Sequence, residues 1–310
     1  MFSILHNFIT EIFFALVAVS IIAALMRRAI LSSNSLELPP DILPIIPEKN
    51  KTFGESAANV KIGLYVHNFP QFNMLEGNFS LDGTVWFEFN PSQVSLVDLE
   101  KFEFFEGTII QKSVEQIKRI RNKIFVAYNF KVAFTSRLNY QKFPFDDHRI
   151  FLILKNSVLS ARELHFSPLD GGIRMAQELQ SMEWKIKDTK VEAGTIKVQL
   201  EQENSKKTMF IPVTVFEFDC KKPGYSQIIT TFVPIILLFY LALLSLVFDA
   251  QFSLQVSLGS LSALIIYRYF LATMSPQTSS STILDNIYIL ILFLSFLIFI
   301  FHIYDLGQKI

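Results

Sequence analysis

The chain has 310 residues, of which 51% are hydrophobic and 32 are phenylalanine, and its mean hydropathy is +0.36. This composition is too apolar for a soluble domain of the same length and is typical of a membrane protein. The formal net charge is +0, so nothing predicts a nucleic-acid partner, and the single cysteine, Cys220, excludes an intrachain disulfide.

Four apolar segments are each close to the roughly 20 residues that a membrane-spanning helix needs. They are Ile4 to Met26, Ile228 to Phe248, Phe252 to Ala272 and Ile287 to Ile303. The residues that lead the first segment, MFSILHNFITE, contain no Lys or Arg, which favours an uncleaved anchor over a cleaved signal peptide. We therefore predict a transmembrane anchor at residues 1–28, and the prolines of LPPDILPIIPEKN predict an extended linker at residues 29–59.

Apolar and polar residues mostly alternate between Val60 and Gln227. In NFSLDGTVWFEFN, nearly every second side chain is apolar, which is typical of a half-buried strand. Further strands are predicted at 61–68, 101–106, 124–134, 148–155, 183–190, 194–200 and 209–219, whereas 113–123 and 161–166 are expected to be helix or loop. Eight or so strands predict a β-sandwich domain at residues 60–222, followed by a transmembrane domain of three helices at residues 223–310.

Catalytic and metal chemistry finds little support in the sequence. The run DDH at 146–148 contains three potential metal ligands, but adjacent residues of a strand point to opposite faces. No further cluster of His, Cys or carboxylate residues completes such a site. We therefore expect no enzyme, no metal site and no cofactor.

The order of the domains and several motifs resemble the pentameric ligand-gated ion channels, the Cys-loop receptor superfamily. The sequence FPFDDH is similar to the FPFDxQ turn of that family, with Phe143, Pro144, Phe145 and Asp146 at the matching positions and His148 in place of Gln. Four other stretches are similar to the family in the expected order: VKIGLYVHNFPQFNMLEGNFSLDGTVWFEF, KKPGYSQIITTFVPIILLFYLALLSLVF, FDAQFSLQVSLGSLSALIIYRYF and TSSSTILDNIYILILFLSF. They match its first two strands, the junction into the first helix, the pore helix and the approach to the third helix.

The chain departs from the family pattern in three ways. The two cysteines of the signature loop are absent, as in the prokaryotic branch, and so is the Trp-x-Pro motif of one agonist-site loop. Three C-terminal helices are present where the family has four. We expect the N-terminal helix to take the place of the fourth, since both run towards the sandwich; a loose anchor with no specific contacts is the alternative.

The resemblance implies a homopentamer in the cell membrane, a multi-pass protein that contacts lipid and conducts inorganic cations when a small ligand or protons bind. It places the β-sandwich outside the cell. Arg27, Arg28, Lys221 and Lys222 lie on the sandwich side of their helices, and the positive-inside tendency favours the opposite orientation. We follow the resemblance, because a basic residue at the position of Lys222 belongs to the family motif. A membrane-anchored sensor or assembly partner that does not conduct is the alternative function.

The pore helix carries a stripe of residues spaced three and four apart, a spacing that places them on one face. It consists of Ser253, Ser257, Ser260, Leu264, Tyr267 and Leu271. We expect this stripe to line the pore, with a polar inner half and a hydrophobic constriction above it; the alternative is that the small serines permit close helix packing. Asp249 lies where the family has a selectivity ring, which predicts cation selectivity, although a carboxylate there can also serve the helix N-terminus.

The resemblance also implies a role in gating for the FPFD turn. Its aromatic side chains are expected to pack on the linker Met274 to Ser279, which includes Pro276, while Asp146 faces Lys222 and the loop that begins at Asn73 lies nearby. An ion pair at that junction could bias two arrangements of the pore. The alternative is a surface ion pair worth less than about 1 kcal/mol.

The ligand site is the least defined feature. Aromatic residues that could lie near a subunit interface, as in the family, are Trp86, Phe104, Phe105 and Trp184, although aromatic residues in strands are more often part of a core. The loop EQENSKK has no aromatic residue, so a complete cage for a quaternary amine is not expected. His148 and His165 could titrate near neutral pH, which keeps proton gating open.

Overall fold

The computed structural model describes residues 37–38, 41–44, 57–177, 179, 184–202, 205–221, 226–278 and 280–309, together with residues 20, 24 and 27. The described chain divides into two compact units. A β unit contains Leu36–Leu138 and Asp147–Pro223. A helical unit contains the segment Asn139–Asp146 and the described residues from 226 onwards.

The β unit is built from two sheets. Its strands are β1 (Leu43–Pro44), β2 (Ala58–Asn73), β3 (Asn78–Phe89), β4 (Phe102–Phe104), β5 (Gly107–Lys112), β6 (Gln116–Ile120), β7 (Lys123–Thr135), β8 (His148–Asn156), β9 (Leu164–Met175), β10 (Lys185–Gln202) and β11 (Ser205–Lys221), with a short helix α1 (Leu96–Leu99) before β4. One sheet has the order β1-β10-β11-β8-β4. The other has the order β5-β7-β3-β2-β9, and β6 also pairs with β7. The pairing of β2 with β9 is parallel, and the other pairings are antiparallel.

Side chains from both sheets belong to one buried core. Phe87 of β3, Leu152 of β8 and Phe216 of β11 are each 0% exposed and lie in the same hydrophobic cluster. In β3 the buried positions alternate with partly exposed ones along most of the strand, as the period of two predicts. The alternating pattern therefore identified the inward face of this strand correctly.

Three sequence predictions within the β unit were wrong. Residues 116–120, expected to be helix or loop, form β6, all of whose residues are exposed and which turns back into β7 with Arg121 at φ 54°. The stretch 161–166, also expected to be helix or loop, contains the start of β9. The two strands predicted at 183–190 and 194–200 are one continuous strand, β10. The sequence QIKRI lacks strict alternation because no face of β6 is buried, so its pairing cannot be predicted from apolar period alone.

Part of the predicted linker belongs to the β unit. Leu43 and Pro44 of β1 pair with Thr195 and Gly194 of β10. A Cβ at Gly194 would lie only 2.1 Å from Cγ2 of Ile42, so glycine permits the close approach of the segment around β1 to β10. Ile42 packs against a hydrophobic cluster that contains Ile153, Val213 and Val215, separate from the main core.

Three helices of the helical unit are long and apolar enough to cross a membrane. They are α2 (Ser226–Leu244), α3 (Ala250–Met274) and α4 (Ile283–Lys309), with a short 3₁₀ turn, Ser245–Val247, after α2. The chain is therefore a membrane protein with a β-rich unit and three membrane-capable helices at its C-terminal end. The predicted N-terminal anchor, apart from residues 20, 24 and 27, lies outside the described residues.

Candidate functional site

The predicted pore stripe of α3 faces the inside of the single chain. Ser253, Ser257 and Ser260 are 1%, 0% and 3% exposed. Their hydroxyls donate hydrogen bonds to nearby backbone carbonyls, for instance from Ser253 to Phe248 (2.9 Å) and from Ser260 to Ser257 (3.0 Å). Each hydroxyl is thus satisfied locally, within the turn before α3 or within α3 itself. Small side chains with such local bonds let neighbouring helices approach closely.

The apolar part of the same stripe is also enclosed. Leu264 and Leu271 are 0% exposed. The hydroxyl of Tyr267 lies 3.3 Å from the backbone carbonyls of Thr230 and Thr231 in α2, to which it donates. Within the described single chain the stripe thus packs α3 against its own subunit, which agrees with the packing alternative; its place in a pore stays a prediction.

The opposite face of α3 carries a second stripe, which the sequence analysis missed. Gln251, Gln255, Gly259 and Ser262 are all exposed and are spaced four, four and three residues apart. At about 100° per residue this spacing places them on one side of the helix. The stripe continues through Ile266 and Tyr269, which are 70% and 76% exposed. The exposed face is therefore polar over its first half and apolar over its second half.

Asp249 precedes this face directly. It occupies the N-cap position of α3, is exposed, and its side chain makes no capping hydrogen bond. The carboxylate therefore does not cap the helix through a hydrogen bond, but it stands at the helix N-terminus, so the alternative role as a charge favoured by the helix dipole stays open. Asp249 lies at the N-terminal end of α3. It precedes Gln251, the first residue of the exposed stripe, by two positions and Ser253, the first residue of the inward stripe, by four.

The FPFD turn packs against the membrane-capable helices. Phe143 and Phe145 are 5% and 7% exposed and lie in one hydrophobic cluster with residues of α2, α3 and α4. The ring of Phe145 stacks on that of Phe232 in α2, with 5.6 Å between centroids and 23° between planes. The Phe143–Pro144 peptide bond is cis. The turn is therefore an integral part of the helical unit rather than a loop of the β unit.

The backbone of the turn meets the first turn of α4. The amide of Ile283 donates to the carbonyl of Gln141 (3.0 Å), and the amide of Leu284 donates to the carbonyl of Phe143 (3.3 Å). The first amides of a helix have no partner within the helix, so these carbonyls satisfy two of them. The predicted packing partner was the linker Met274 to Ser279, in which Pro276 is buried. The ring stacking and hydrogen bonds described here involve α2 and α4, and the contact with that linker stays a prediction. Position 222 lies outside the described residues, so the pairing of Asp146 with Lys222 stays a prediction.

An ion pair connects α3 to the same first turn of α4. A guanidinium nitrogen of Arg268 lies 2.7 Å from a carboxylate oxygen of Asp285. The other oxygen of Asp285 accepts from the amide and hydroxyl of Thr282 (2.9 and 2.8 Å), and the Thr282 hydroxyl accepts from the Asp285 amide (3.1 Å), a reciprocal helix cap. The guanidinium of Arg268 also lies over the ring of Tyr288, 5.4 Å from its centroid. Arg268 immediately precedes Tyr269 of the exposed face.

The four aromatic residues proposed for a ligand site do not form one group among the described residues. Trp86 is half-buried and stacks on Phe125 (5.5 Å). Phe104 belongs to the main core and contacts Phe130 (4.8 Å), whereas its neighbour Phe105 is 42% exposed. Trp184 is 8% exposed and lies beside His148. Phe104 and Trp184 are part of the core, as the alternative interpretation expected. Within the described part of the single chain, the four residues do not surround a common space. The side chain of Asn73 accepts from the amides of Leu75 and Glu76 and so shapes its own loop.

The two histidines considered as proton sensors have different surroundings. Nδ1 of His148 lies 2.7 Å from a carboxylate oxygen of Glu37, and both side chains are 2% exposed. The other oxygen of Glu37 accepts from the amide of Arg149 (3.2 Å). His165 is different: among the described residues neither of its ring nitrogens has a hydrogen-bond partner, and burial lowers its pKa. The pairing of Glu37 with His148 spans 111 positions and has no signal in the sequence.

Comparison with family models and curated proteins adds no relative. Neither the protein-family models nor the curated proteins that were searched gave a match to this chain. The layout of a β-rich unit followed by three apolar helices is compatible with the pentameric ligand-gated channels.

Proposed function

We propose that the chain is one subunit of a homopentameric ion channel related to the pentameric ligand-gated family, with a β-sandwich outside the membrane. The observation that carries this proposal is the exposed face of α3. Gln251, Gln255 and Ser262 lie on the outside of a membrane-capable helix. Amide and hydroxyl groups are costly against hydrocarbon, so this face needs water or another subunit.

The exposed faces of α2 and α4 differ from that of α3. Over the middle of α4, the exposed side chains are apolar, including Ile289, Phe293 and Leu297. Those of α2 include Val233 and Leu237. Both faces suit lipid or another apolar helix, whereas the first half of α3 does not. Because one chain supplies one polar face, closed symmetry around an axis is the simplest way to surround a water-filled path.

The exposed face of α3 supplies the two parts that a gated pore needs. Gln251, Gln255 and Ser262 would line a wet half, and five copies of Asp249 at its mouth would concentrate cations and repel anions. Ile266 and Tyr269 would form a hydrophobic constriction at the other half, where dewetting blocks ions. This assignment replaces the inward stripe predicted from the sequence and keeps the predicted order of a polar half followed by an apolar half.

The turn and the Arg268–Asp285 pair supply a physical connection for gating. The turn holds the first amides of α4, and Asp285 in that same helical turn holds Arg268 next to the exposed face of α3. A ligand or proton that favours one position of the turn would bias α4 and, through Arg268, the constriction at Tyr269. The ligand class stays open, because the aromatic residues do not converge.

A sensor or assembly partner that does not conduct is the second candidate. The core positions of Phe104 and Trp184 and the absent Trp-x-Pro motif favour it, since a ligand-gated channel needs a ligand site. A purified preparation that forms pentamers and takes up a marker cation into liposomes would support the channel; pentamers without any flux under ligand or proton screening would support the sensor.

Thiol labelling tests the pore face directly. In proteoliposomes, Gln255→Cys should react with a charged, water-soluble methanethiosulfonate reagent and lose cation flux on labelling. Two variants serve as controls, Ser257→Cys and Phe293→Cys. Ser257 is enclosed by the subunit, and Phe293 is 57% exposed on the apolar face of α4. Neither should react, because one lacks space and the other lacks water. Burial raises the pKa of the native Cys220 thiol, so its background reaction should be slow.

The labelling result can also contradict the proposal. If Gln255→Cys reacts no faster than Phe293→Cys, the exposed face of α3 is not in water. If Ser257→Cys is the position that reacts and blocks flux, the stripe predicted from the sequence lines the pore and the described packing of α3 does not apply in the assembly.

A further inference from the structure

The inward side of α4 carries a histidine near its C-terminal end. His302 is 4% exposed and continues a buried side of the helix that also carries Leu284, Ile287, Ile291 and Ser295. The spacings of three, four, four and seven residues place this set on one side. The hydroxyl of Ser295 bonds within its own helix, to the carbonyl of Ile291 (2.9 Å), whereas His302 bonds to a different element. An imidazole enclosed in a membrane-capable helix is costly unless it has such a partner.

The partner of His302 is a serine in the 3₁₀ turn after α2. Nε2 of His302 lies 2.8 Å from Oγ of Ser245, which is 0% exposed. The Ser245 hydroxyl also lies 2.6 Å from the backbone carbonyl of Ala242, which can only accept, so the hydroxyl donates its one hydrogen there. Ser245 therefore accepts from His302, and the hydrogen-bond network assigns a hydrogen to Nε2.

Ser245 begins the connection between α2 and α3, residues 245–249. The structure describes all five residues, and among them only Ser245 is buried. At the other end of the connection, the hydroxyl of Ser253 in α3 donates to the carbonyl of Phe248 (2.9 Å). The connection is thus held at its start by α4 and at its end by the first turn of α3. Asp249, its last residue, follows Ser245 by four positions.

The bond between His302 and Ser245 is not needed to satisfy the serine. With an apolar side chain at position 302, Ser245 would keep its own bond to Ala242. An apolar side chain would also suit the buried side of α4 without the cost of enclosing an imidazole. The histidine therefore adds direction rather than burial, because a hydrogen bond has narrow limits of distance and angle. It fixes the start of the connection relative to α4.

We propose that His302 positions the connection between α2 and α3 through Ser245, and with it the carboxylate of Asp249. The side chain of Asp249 makes no capping hydrogen bond, so the backbone of the connection sets its place. In a pentamer, the distance of the five carboxylates from the axis would depend on this backbone, and loss of the bond would weaken cation selectivity. This consequence for ions rests on the proposed channel function, whereas the positioning itself does not. His302 is a positioning residue and does not touch the ion.

Hydrogen exchange of the purified full-length protein in detergent tests the positioning without any need for conduction. His302→Leu removes the donor and Ser245→Ala removes the acceptor. Loss of one neutral hydrogen bond should lower the protection of the amides of residues 246–253 about fivefold in either variant. His302→Gln keeps an N–H donor and should retain more of the protection than His302→Leu.

Ser295→Ala is the matched control. It removes a buried hydroxyl from the same side of α4, but the lost bond lies within that helix, so exchange at residues 246–253 should not change. Unchanged exchange at these residues in both His302→Leu and Ser245→Ala would overturn the proposal. Exchange that rises equally along α2 and α4 would show a general packing role, which is equally contrary. Ser245→Ala removes a single atom and covers the case in which His302→Leu does not fold.

Reversal potentials of the reconstituted protein test the consequence for ions. His302→Leu and Ser245→Ala should lower the ratio of cation to anion permeability, and Ser295→Ala should not. In an Asp249→Asn background, His302→Leu should cause no further change, because no carboxylate charge is left to position. A conducting protein whose permeability ratio is the same in both variants as in the unaltered chain would show that Asp249 is not positioned in this way. If the unaltered protein conducts no ions, the proposed function is wrong, and the exchange measurement still decides whether His302 holds the connection.

Discussion

Removal of the Glu37 carboxylate should destabilise the β unit by an amount that the structure allows us to estimate. Glu37→Ala takes away the acceptor of two donors, Nδ1–H of His148 and the amide of Arg149. A buried donor without a partner costs about 1–3 kcal/mol, and the Arg149 amide is only partly buried, so we expect a loss of about 3 kcal/mol in the free energy of unfolding. For a unit of this size, each kcal/mol lowers the thermal midpoint by roughly 2–4 °C. The expected fall is about 6–12 °C.

Tryptophan fluorescence can follow this change because Trp184 lies 5.6 Å from the His148 ring. In a Trp86→Phe background, Trp184 is the remaining tryptophan. Glu37→Gln keeps one carbonyl acceptor and should show a smaller fall, whereas Leu38→Ala, at a residue that is 85% exposed, should show almost none. If Glu37→Ala and Leu38→Ala have the same midpoint and the same Trp184 spectrum, Glu37 does not fix the chain at this point.

Two further predictions concern a histidine and an ion pair. Burial lowers the pKa of His165 in the folded protein, so the unfolded state binds a proton at this side chain first as the pH falls. The free energy of unfolding should therefore decline below about pH 6.5. His165→Phe should reduce that decline, which thermal melts at pH 7 and pH 5 can measure. The pair of Arg268 and Asp285, partly exposed to solvent at 43% and 19%, should couple by about 1 kcal/mol, a factor of roughly five, in a double-mutant cycle on channel activation. If the effects of the two single variants simply add, the Arg268–Asp285 pair is not part of the gating connection. If His165→Phe loses as much stability between pH 7 and pH 5 as the unaltered protein, the histidine prediction is wrong.

Several features of the fold followed from local pattern. The inward face of β3 was predicted from its period of two, because the strand lies between a core and solvent. The three C-terminal helices were predicted from apolar length alone. These are properties of a single segment in a uniform environment, so the sequence of the segment is sufficient.

Features that depend on pairing were not predicted. β6 is exposed on all its residues, and its strand conformation comes from hydrogen bonds to β7 that leave no apolar signature. The two stripes of α3 illustrate the same limit. Both contain polar and apolar residues at helical spacing, and only the packing against α2 and α4 shows that Ser257 faces inward while Gln255 faces outward. For a membrane helix, composition identifies the segment but not which face meets its neighbours.

The position of the FPFD turn was predicted in part. Its contact with the membrane helices follows from the resemblance, and the structure places Phe143 and Phe145 in the helical core. The hydrogen bonds from Ile283 and Leu284 to its carbonyls were not predicted, because backbone acceptors have no residue-specific signal.

The short strand β1 has a consequence for aggregation. Within the described residues, β10 has 18 residues but pairs with only two residues of β1 on the side away from β11. An uncovered strand edge is a template on which another chain can add hydrogen bonds. β10 carries Lys185, Lys187, Lys190 and Lys197, and lysine on an edge strand opposes such addition by electrostatic repulsion and hydration. Because β1 pairs with Gly194 and Thr195, between Lys190 and Lys197, docking of residues 43–44 removes part of this open edge.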